Sequence, residues 1–123
     1  MRILVADDFE DTREVMRLVL EMRGNVVIQA SDGKEAVAMA TSGNLDLILM
    51  DLDMPVMDGI AATRELRRRC ETRHVPIVAM SAHFAHGDWD DRALAAGCNE
   101  CLAKPLDFES LDSVLAHYQP TAD

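Results

Sequence analysis

The chain is short of positive charge and of aromatic residues. It carries 12 Lys and Arg against 22 Asp and Glu, for a net charge of −10, and only 4% of its residues are aromatic. A protein this acidic repels nucleic acids and anionic membrane surfaces at long range. We therefore expect no direct nucleic-acid binding and no membrane binding, and we expect aliphatic side chains to fill the core.

The sequence also lacks long apolar runs and a secretory cysteine pattern. No stretch approaches the roughly 20 apolar residues that span a bilayer, and the N-terminus continues into a strand pattern without a signal peptide. The three Cys are an odd number, which is typical of reduced thiols. These features predict a cytoplasmic protein, and 123 residues suffice for one domain over residues 1–123.

The most informative stretch is residues 46–59, in which an apolar run ends in acids and then in turn residues. Four consecutive apolar residues, 47–50, are typical of a strand buried on both faces of a parallel sheet. Asp51 follows at the carboxyl end, where ligands bind in open α/β sheets. The structural alternative is that Asp51 and Asp53 solvate a turn and cap the next helix.

Apolar strand patterns alternate with helical patterns along the whole chain. Strands are predicted at residues 2–6, 26–30, 47–50, 76–80 and 100–103. Helices are predicted over residues 9–23, after Asp32, after Asp58, within residues 83–96 and after Asp107. This alternation predicts an α/β fold with a doubly wound, five-stranded parallel sheet and five helices. The second strand ends in no acidic cluster and is predicted to lie at an edge.

Two helices have patterns that bear on burial and binding. Helical spacing in the first predicts an apolar face, with Gly24 as a left-handed stop. Its members are Val15, Leu18, Val19 and Met22. The third helix ends in arginines that complement the helix dipole, and a partner-docking patch is the alternative. They are Arg64, Arg67, Arg68, Arg69 and Arg73.

Polar side chains follow four of the five predicted strands. They are Asp7 and Asp8, Asp51, Ser81 and Lys104. Because the carboxyl ends of parallel strands meet at one edge of the sheet, these side chains should form one site. Clustered carboxylates repel one another, and a hard cation such as Mg²⁺ would keep them ionised while it receives phosphate oxygens.

The remaining polar groups predict phosphoryl-transfer chemistry. Lys104 would add a mobile cation and Ser81 a hydroxyl donor for phosphoryl oxygens. No glycine-rich phosphate loop is present, so nucleotide binding is not indicated. The natural nucleophile is then a carboxylate, as in aspartyl-phosphate chemistry.

In their order and spacing these motifs resemble the receiver domains of two-component response regulators, of the chemotaxis-regulator type. The resemblance covers essentially all 123 residues. It rests on Asp7-Asp8, on residues 50–59 (MDLDMPVMDG), on Ser81-Ala82 and on Lys104-Pro105. It implies a flavodoxin-like sheet with strand order 2-1-3-4-5.

The resemblance assigns a role to each acid. Asp51 would accept a phosphoryl group from the phosphohistidine of a sensor kinase. Asp8, Asp51 and the backbone carbonyl of Asp53 would hold Mg²⁺ directly, and Asp7 would act through water. Asp53 and His83, two residues beyond the phosphoacceptor and the switch hydroxyl, would tune the rate of hydrolysis.

The resemblance also implies a switch. Ser81 would be the switch hydroxyl, and Lys104 would pair with the phosphate, with a cis bond to Pro105. Where the family commonly has Tyr or Phe, three residues before the lysine, this chain has Cys101. We therefore expect the signal to run through Ser81 and residues 82–87, without an aromatic rotamer change.

The partners implied are a sensor histidine kinase or a histidine phosphotransfer protein, and a downstream protein. The downstream partner would bind the face of the fourth helix, fifth strand and fifth helix, and a phosphorylation-dependent homodimer is compatible with the family. We expect an acceptor with intrinsic autodephosphorylation, not an enzyme with independent turnover.

Three alternatives remain open from the sequence. Asp51-Leu52-Asp53 also fits an aspartyl-phosphate hydrolase of the haloacid dehalogenase type, although that family needs its acid pair after the nucleophile. A degenerate receiver could act as an interaction module without phosphorylation. Cys98-x-x-Cys101 would fit a redox or zinc site, but a single pair is a weak signal.

Overall fold

A computed structural model describes residues 1–81, 88–104 and 107–119. Strands and helices alternate throughout these residues. The strands are β1 (Arg2–Ala6), β2 (Val26–Ala30), β3 (Leu47–Asp51), β4 (Ile77–Ser81) and β5 (Glu100–Ala103). The helices are α1 (Glu10–Met22), α2 (Gly33–Ser42), α3 (Gly59–Arg68), α4 (Asp88–Ala96) and α5 (Phe108–His117).

All five strands run parallel in one sheet of order β2-β1-β3-β4-β5. In the centre of the sheet, Ile3 of β1 lies opposite Val27 on one side and Leu47 on the other. Every residue of β3 and β4 is buried, because helices cover both faces of the sheet. The predicted fold class, the strand order and the edge position of β2 are confirmed.

Alternate side chains of the strands face two separate cores. Leu4 and Ile48 belong to the core beneath α2, α3 and α4. Ile3 and Leu47 belong to the core beneath α1 and α5. This alternation follows from the two-residue period of a strand, and it places helices on both faces of the sheet.

The apolar face predicted for α1 is largely wrong. Three side chains of the predicted face are exposed to solvent. Their exposed fractions are 55% for Val15, 48% for Leu18 and 83% for Met22. Met16 and Leu20 are buried in their place, and Val19 packs partly against the same core. The helix carries two apolar stripes at helical spacing, and periodicity alone does not determine which stripe faces the sheet.

The ends of the helices follow their predicted signals. Gly24 and Gly97 have positive φ angles of 84° and 120°, as expected for left-handed stops after α1 and α4. Asp32, Asp58 and Asp107 accept backbone N–H groups at the starts of α2, α3 and α5. The cap of α3 is therefore Asp58, which removes the capping interpretation of the acids that precede it.

Arg67 is not the solvated cation that its place in the arginine run predicts. Its Nε donates to the carbonyl oxygen of Gly97 at 2.9 Å, and its Nη1 donates to that of Val75 at 2.7 Å. Nη2 donates to Oδ1 of Asn99 at 2.9 Å, and the same oxygen accepts the Ile77 N–H at 2.8 Å. The guanidinium thus joins the end of α3 to the starts of β4 and β5.

We predict that Arg67→Met lowers the free energy of unfolding by about 2 kcal/mol, because several carbonyl groups lose a charged donor. Urea unfolding measures the change. Arg68→Met is the matched control, since the Arg68 side chain is 73% exposed and pairs only with the neighbouring Glu65 among the described residues. Equal losses in the two variants would contradict the role of Arg67.

Candidate functional site

Two strand ends place carboxylates beneath the surface of the protein. Asp51 is the last residue of β3 and is 3% exposed, and Asp7 follows β1 and is fully buried. The backbone of Asp7 extends the sheet, because its N–H donates to the carbonyl of Ala30 at 3.1 Å. The parallel sheet therefore fixes both carboxylates at its carboxyl edge.

Glycine allows α3 to begin directly against the phosphoacceptor candidate. The Gly59 N–H donates to the carbonyl of Leu52 at 3.1 Å. A Cβ at position 59 would lie 2.3 Å from the backbone oxygen of Asp51, closer than any side chain tolerates. Gly59 is therefore required by close approach of the backbone.

The loop between β3 and α3 contains a strained residue. Val56 has a φ of 66°, and the N–H of Met57 donates across it to the carbonyl of Pro55 at 2.7 Å in a three-residue turn. A β-branched residue rarely adopts a positive φ, and such turns are strained. The oxygen of Met57 accepts the Gly33 N–H at 2.9 Å, which holds this turn against the start of α2.

Lys104 joins the two buried carboxylates. It follows β5, and its Nζ lies 3.0 Å from Oδ2 of Asp7 and 3.1 Å from Oδ2 of Asp51. Oδ1 of Asp51 accepts the Asp53 N–H at 3.1 Å, and Oδ1 of Asp7 accepts the Phe9 N–H at 2.9 Å. One ammonium group thus faces two carboxylates, and the site keeps an excess of negative charge.

The environment changes the pKa of two of these groups. Burial raises the pKa of Asp51, against the opposing effects of the Asp53 N–H and the Lys104 charge. Burial alone would lower the pKa of Lys104, but the hydrogen bond to Asp7 and the charge of Asp51 outweigh it and raise that pKa. Lys104 therefore stays protonated at neutral pH, while the ionisation of Asp51 is made harder.

A third carboxylate reaches the site from the surface. Asp8 is exposed. Asp7, Asp8 and Asp51 each have one carboxylate oxygen that lies within 4.8 Å of the corresponding oxygens of the other two. Asp8 also lines an open depression of about 430 Å³, together with Asp51, Asp53 and Lys104. Within the described residues, the carboxylate of Asp8 accepts no hydrogen bond.

This set of ligands fits a magnesium ion. Mg²⁺ prefers oxygen ligands, binds one or two carboxylates and keeps several waters, which an open depression admits. Three carboxylates against one ammonium leave the negative charge that a divalent cation would neutralise. The chemistry of the residues present is thus consistent with the predicted cofactor.

The structure describes some of the predicted switch residues and not others. Ser81 ends β4 and is 1% exposed, and its backbone oxygen accepts the Lys104 N–H at 3.0 Å. Cys101 lies half-buried in β5. His83, Pro105 and residues 82–87 lie outside the described residues, so the roles predicted for them stay predictions.

The cysteines show no disulfide. None of the three is disulfide-bonded, and Cys98 is buried with its Sγ 3.5 Å from Oγ1 of Thr63. Burial raises the pKa of Cys98, which favours the protonated and unreactive form. Within the described part of the chain, no group of potential metal ligands includes Cys98 or Cys101.

A five-stranded parallel sheet with an acidic, lysine-bridged site at its carboxyl edge defines a class of small α/β signalling domains. The family described as response regulator receiver domain matches residues 3–116. The chain belongs to this family and is a receiver domain of two-component systems, which decides against the haloacid dehalogenase alternative.

Individual relatives include stand-alone regulators and large kinases. PilH of Pseudomonas aeruginosa is 34% identical over 112 residues, which are 89% of this chain and 90% of PilH. The CAI-1 autoinducer sensor kinase/phosphatase CqsS of Vibrio cholerae is 37% identical over 115 residues, which are 89% of this chain and 16% of CqsS. The chain thus spans less than a fifth of the length of CqsS and of two further histidine kinases that it resembles.

A solved structure gives the same fold with a metal. The receiver domain of the sensor histidine kinase PA1611 from Pseudomonas aeruginosa has a TM-score of 0.88 and 38% sequence identity, with 95% of each chain covered. That structure has a magnesium ion coordinated in its active site cleft. In this chain, no helix within the described residues has the length and apolar character to cross a bilayer.

We predict that Asp51→Asn stabilises the metal-free protein at pH 7, by roughly 1 kcal/mol. Because burial raises the pKa of Asp51, the folded protein binds this proton more tightly than the unfolded chain does. Stability is therefore lost as the pH rises through the raised pKa, and the amide avoids that loss. The gain should shrink as the pH falls toward about 4, the ordinary carboxyl pKa.

Urea unfolding in EDTA at several pH values measures this effect. Asp53→Asn is the matched control, because it makes the same change of charge at an exposed side chain of the same loop. The explanation fails if both variants gain equally at pH 7, or if the gain of Asp51→Asn does not depend on pH.

Proposed function

We propose that the chain is a phosphoacceptor that takes a phosphoryl group on Asp51 from a phosphohistidine. One observation carries the proposal: the Asp51 carboxylate lies at an open depression between the Lys104 ammonium and the Asp53 N–H. A buried carboxylate is a better nucleophile than a hydrated one, because fewer waters must leave it before it attacks.

The transfer is a displacement at phosphorus. A carboxylate oxygen of Asp51 forms the new P–O bond, while the P–N bond to the donor imidazole breaks and the nitrogen keeps the electron pair. A donor ring that is protonated at its other nitrogen leaves as neutral imidazole, and the product is an acyl phosphate on Asp51. Catalysis of this kind depends on positioning and on neutralisation of charge, which this site can provide.

Magnesium would be held by Asp8, by Asp51 and by the backbone carbonyl of Asp53, with Asp7 acting through water. When bound, it would supply positive charge to the oxygens of the transferring group. Asp8 suits direct ligation, since its carboxylate is exposed beside the depression. Asp7 is fully buried and does not line the depression, unlike Asp8 and Asp51, which suits an indirect role.

Lys104 would pair with the phosphoryl group after transfer. Its ammonium now bridges Oδ2 of Asp7 and Oδ2 of Asp51. Phosphorylation replaces a carboxylate by a group with more negative charge, so the ammonium gains a stronger partner. Since the Lys104 N–H binds the carbonyl of Ser81, this shift would be coupled to the end of β4 and to the switch hydroxyl.

A downstream partner would read the change on the face of α4, β5 and α5. β5 is an edge strand, and a depression of about 400 Å³ lies between it and α5, lined by residues that include Glu100, Leu102 and His117. Cys101 lies on the same strand, where its small side chain would bury little area by rotation. The kinase or histidine phosphotransfer protein supplies the phosphoryl group, and no independent turnover is expected.

We predict that a small phosphodonor with Mg²⁺ adds one phosphoryl group to the parent protein and none to Asp51→Asn. Intact-mass measurement detects the product, and EDTA should abolish it. Asp53→Asn is the control, because it keeps the acceptor carboxylate. Uptake by Asp51→Asn equal to that of the parent would refute the assignment, and no uptake by the folded parent would favour the degenerate interaction module.

We also predict that Asp8→Ala weakens Mg²⁺ binding more than Asp53→Ala, because Asp53 should contribute only its backbone carbonyl. Lys104→Met should leave Mg²⁺ binding intact or strengthen it, since an ammonium beside the site opposes a cation. Calorimetric titration measures all three variants. Equal losses for Asp8→Ala and Asp53→Ala, or a loss for Lys104→Met, would contradict these roles.

A further inference from the structure

Arg13 binds the backbone of the loop that carries the two adjacent acids. It lies in α1, and its Nη1 donates to the carbonyl oxygen of Asp7 at 2.8 Å. Its Nε donates to Oε1 of Gln29 at 3.2 Å. Gln29 lies in β2 opposite Val5 of β1, so the guanidinium bridges the loop to the neighbouring strand.

The contacts of Arg13 differ from those of Arg17, one helical turn further along α1. Arg17 forms ion pairs with Glu14 and Glu21, as surface arginines commonly do. Within the described residues, both hydrogen-bond acceptors of Arg13 are neutral oxygens. Arg13 therefore places a positive charge beside the acidic site without occupying a carboxylate oxygen there.

With Arg13 included, Asp7 is fixed at four points. Its N–H donates to Ala30, and its two carboxylate oxygens accept from Phe9 and Lys104. Its carbonyl oxygen accepts from Arg13. That carbonyl belongs to the peptide unit joining Asp7 to the next residue, so Arg13 fixes the plane from which the Asp8 side chain leaves the backbone.

We propose that Arg13 is a positioning residue for Mg²⁺, which acts by holding the loop between β1 and α1. The inference rests on the proposed function, because it concerns the metal ligand Asp8. Asp8 has no hydrogen bond of its own within the described residues. The direction of its carboxylate therefore depends on the backbone that Arg13 holds, and a ligand must be held closely for Mg²⁺ to bind well.

Charge and position predict opposite results when Arg13 is removed. Arg13 carries a positive charge close to a cation site, and its loss should tighten Mg²⁺ binding if charge alone matters. If the guanidinium positions the loop, its loss should weaken Mg²⁺ binding despite the relief of repulsion. The sign of the change therefore separates the two roles.

The test is calorimetric Mg²⁺ titration of Arg13→Met, Arg13→Lys and Gln29→Met. We expect about tenfold weaker binding for Arg13→Met, the lower end of what the loss of an outer-sphere partner costs. Arg13→Lys keeps the charge but not the two-armed geometry, and Gln29→Met removes one anchor without any change of charge. Both should show a smaller loss, and Arg17→Met, the matched control, should bind as the parent does.

Hydrogen exchange of the metal-free proteins provides a second readout. In Arg13→Met the amide of Phe9, which donates to Oδ1 of Asp7, should exchange about tenfold faster, while amides in the buried strand β3 stay protected. Faster exchange throughout the protein would indicate a merely structural role and overturn the proposal. Unchanged or tighter Mg²⁺ binding by Arg13→Met would also overturn it.

The two experiments separate this proposal from the function on which it rests. A parent protein that binds no Mg²⁺ would refute the metal site and the positioning of a metal ligand with it. A parent that binds Mg²⁺ and an Arg13→Met variant that binds equally well would leave the proposed function intact and refute the role of Arg13.

Discussion

The bridge from Lys104 to Asp7 and Asp51 is the interaction on which the site depends. Two carboxylates that are 0% and 3% exposed would repel each other strongly without a cation between them. One ammonium makes their burial tolerable but leaves net negative charge, which suits a divalent cation. The same bridge connects the carboxyl ends of β1, β3 and β5.

The sequence predicted the parts of this protein that depend on chain pattern. Buried parallel strands have continuous apolar runs, and acids or a lysine at their ends must share one edge, so Asp7, Asp8, Asp51 and Lys104 could be placed together. The apolar face of α1 was predicted wrongly, because Val15 and Leu18 fit helical spacing as well as Met16 and Leu20 do. Which stripe is buried depends on how the helix packs on the sheet.

The contacts of the arginines were beyond sequence reasoning for a different reason. Arg67 and Arg13 bind backbone carbonyls that are distant in sequence or set by loop geometry, and no spacing rule marks such acceptors. The strain at Val56 could not be predicted from the sequence pattern either. Valine rarely adopts a positive φ, so nothing in the residue type indicates the observed φ of 66°. Tertiary structure rather than local preference determines both features.

The distance along the chain between the members of the bridge has a consequence for biosynthesis. Asp7 and Lys104 are separated by 97 residues, and Asp51 and Lys104 by 53. A nascent chain that has not yet emerged to β5 has both acids but lacks the ammonium that offsets their repulsion in the folded protein. The acidic edge of the sheet can therefore close its ion pairs only after β5 has docked, so the last strand of the chain completes the site that the first and third strands begin.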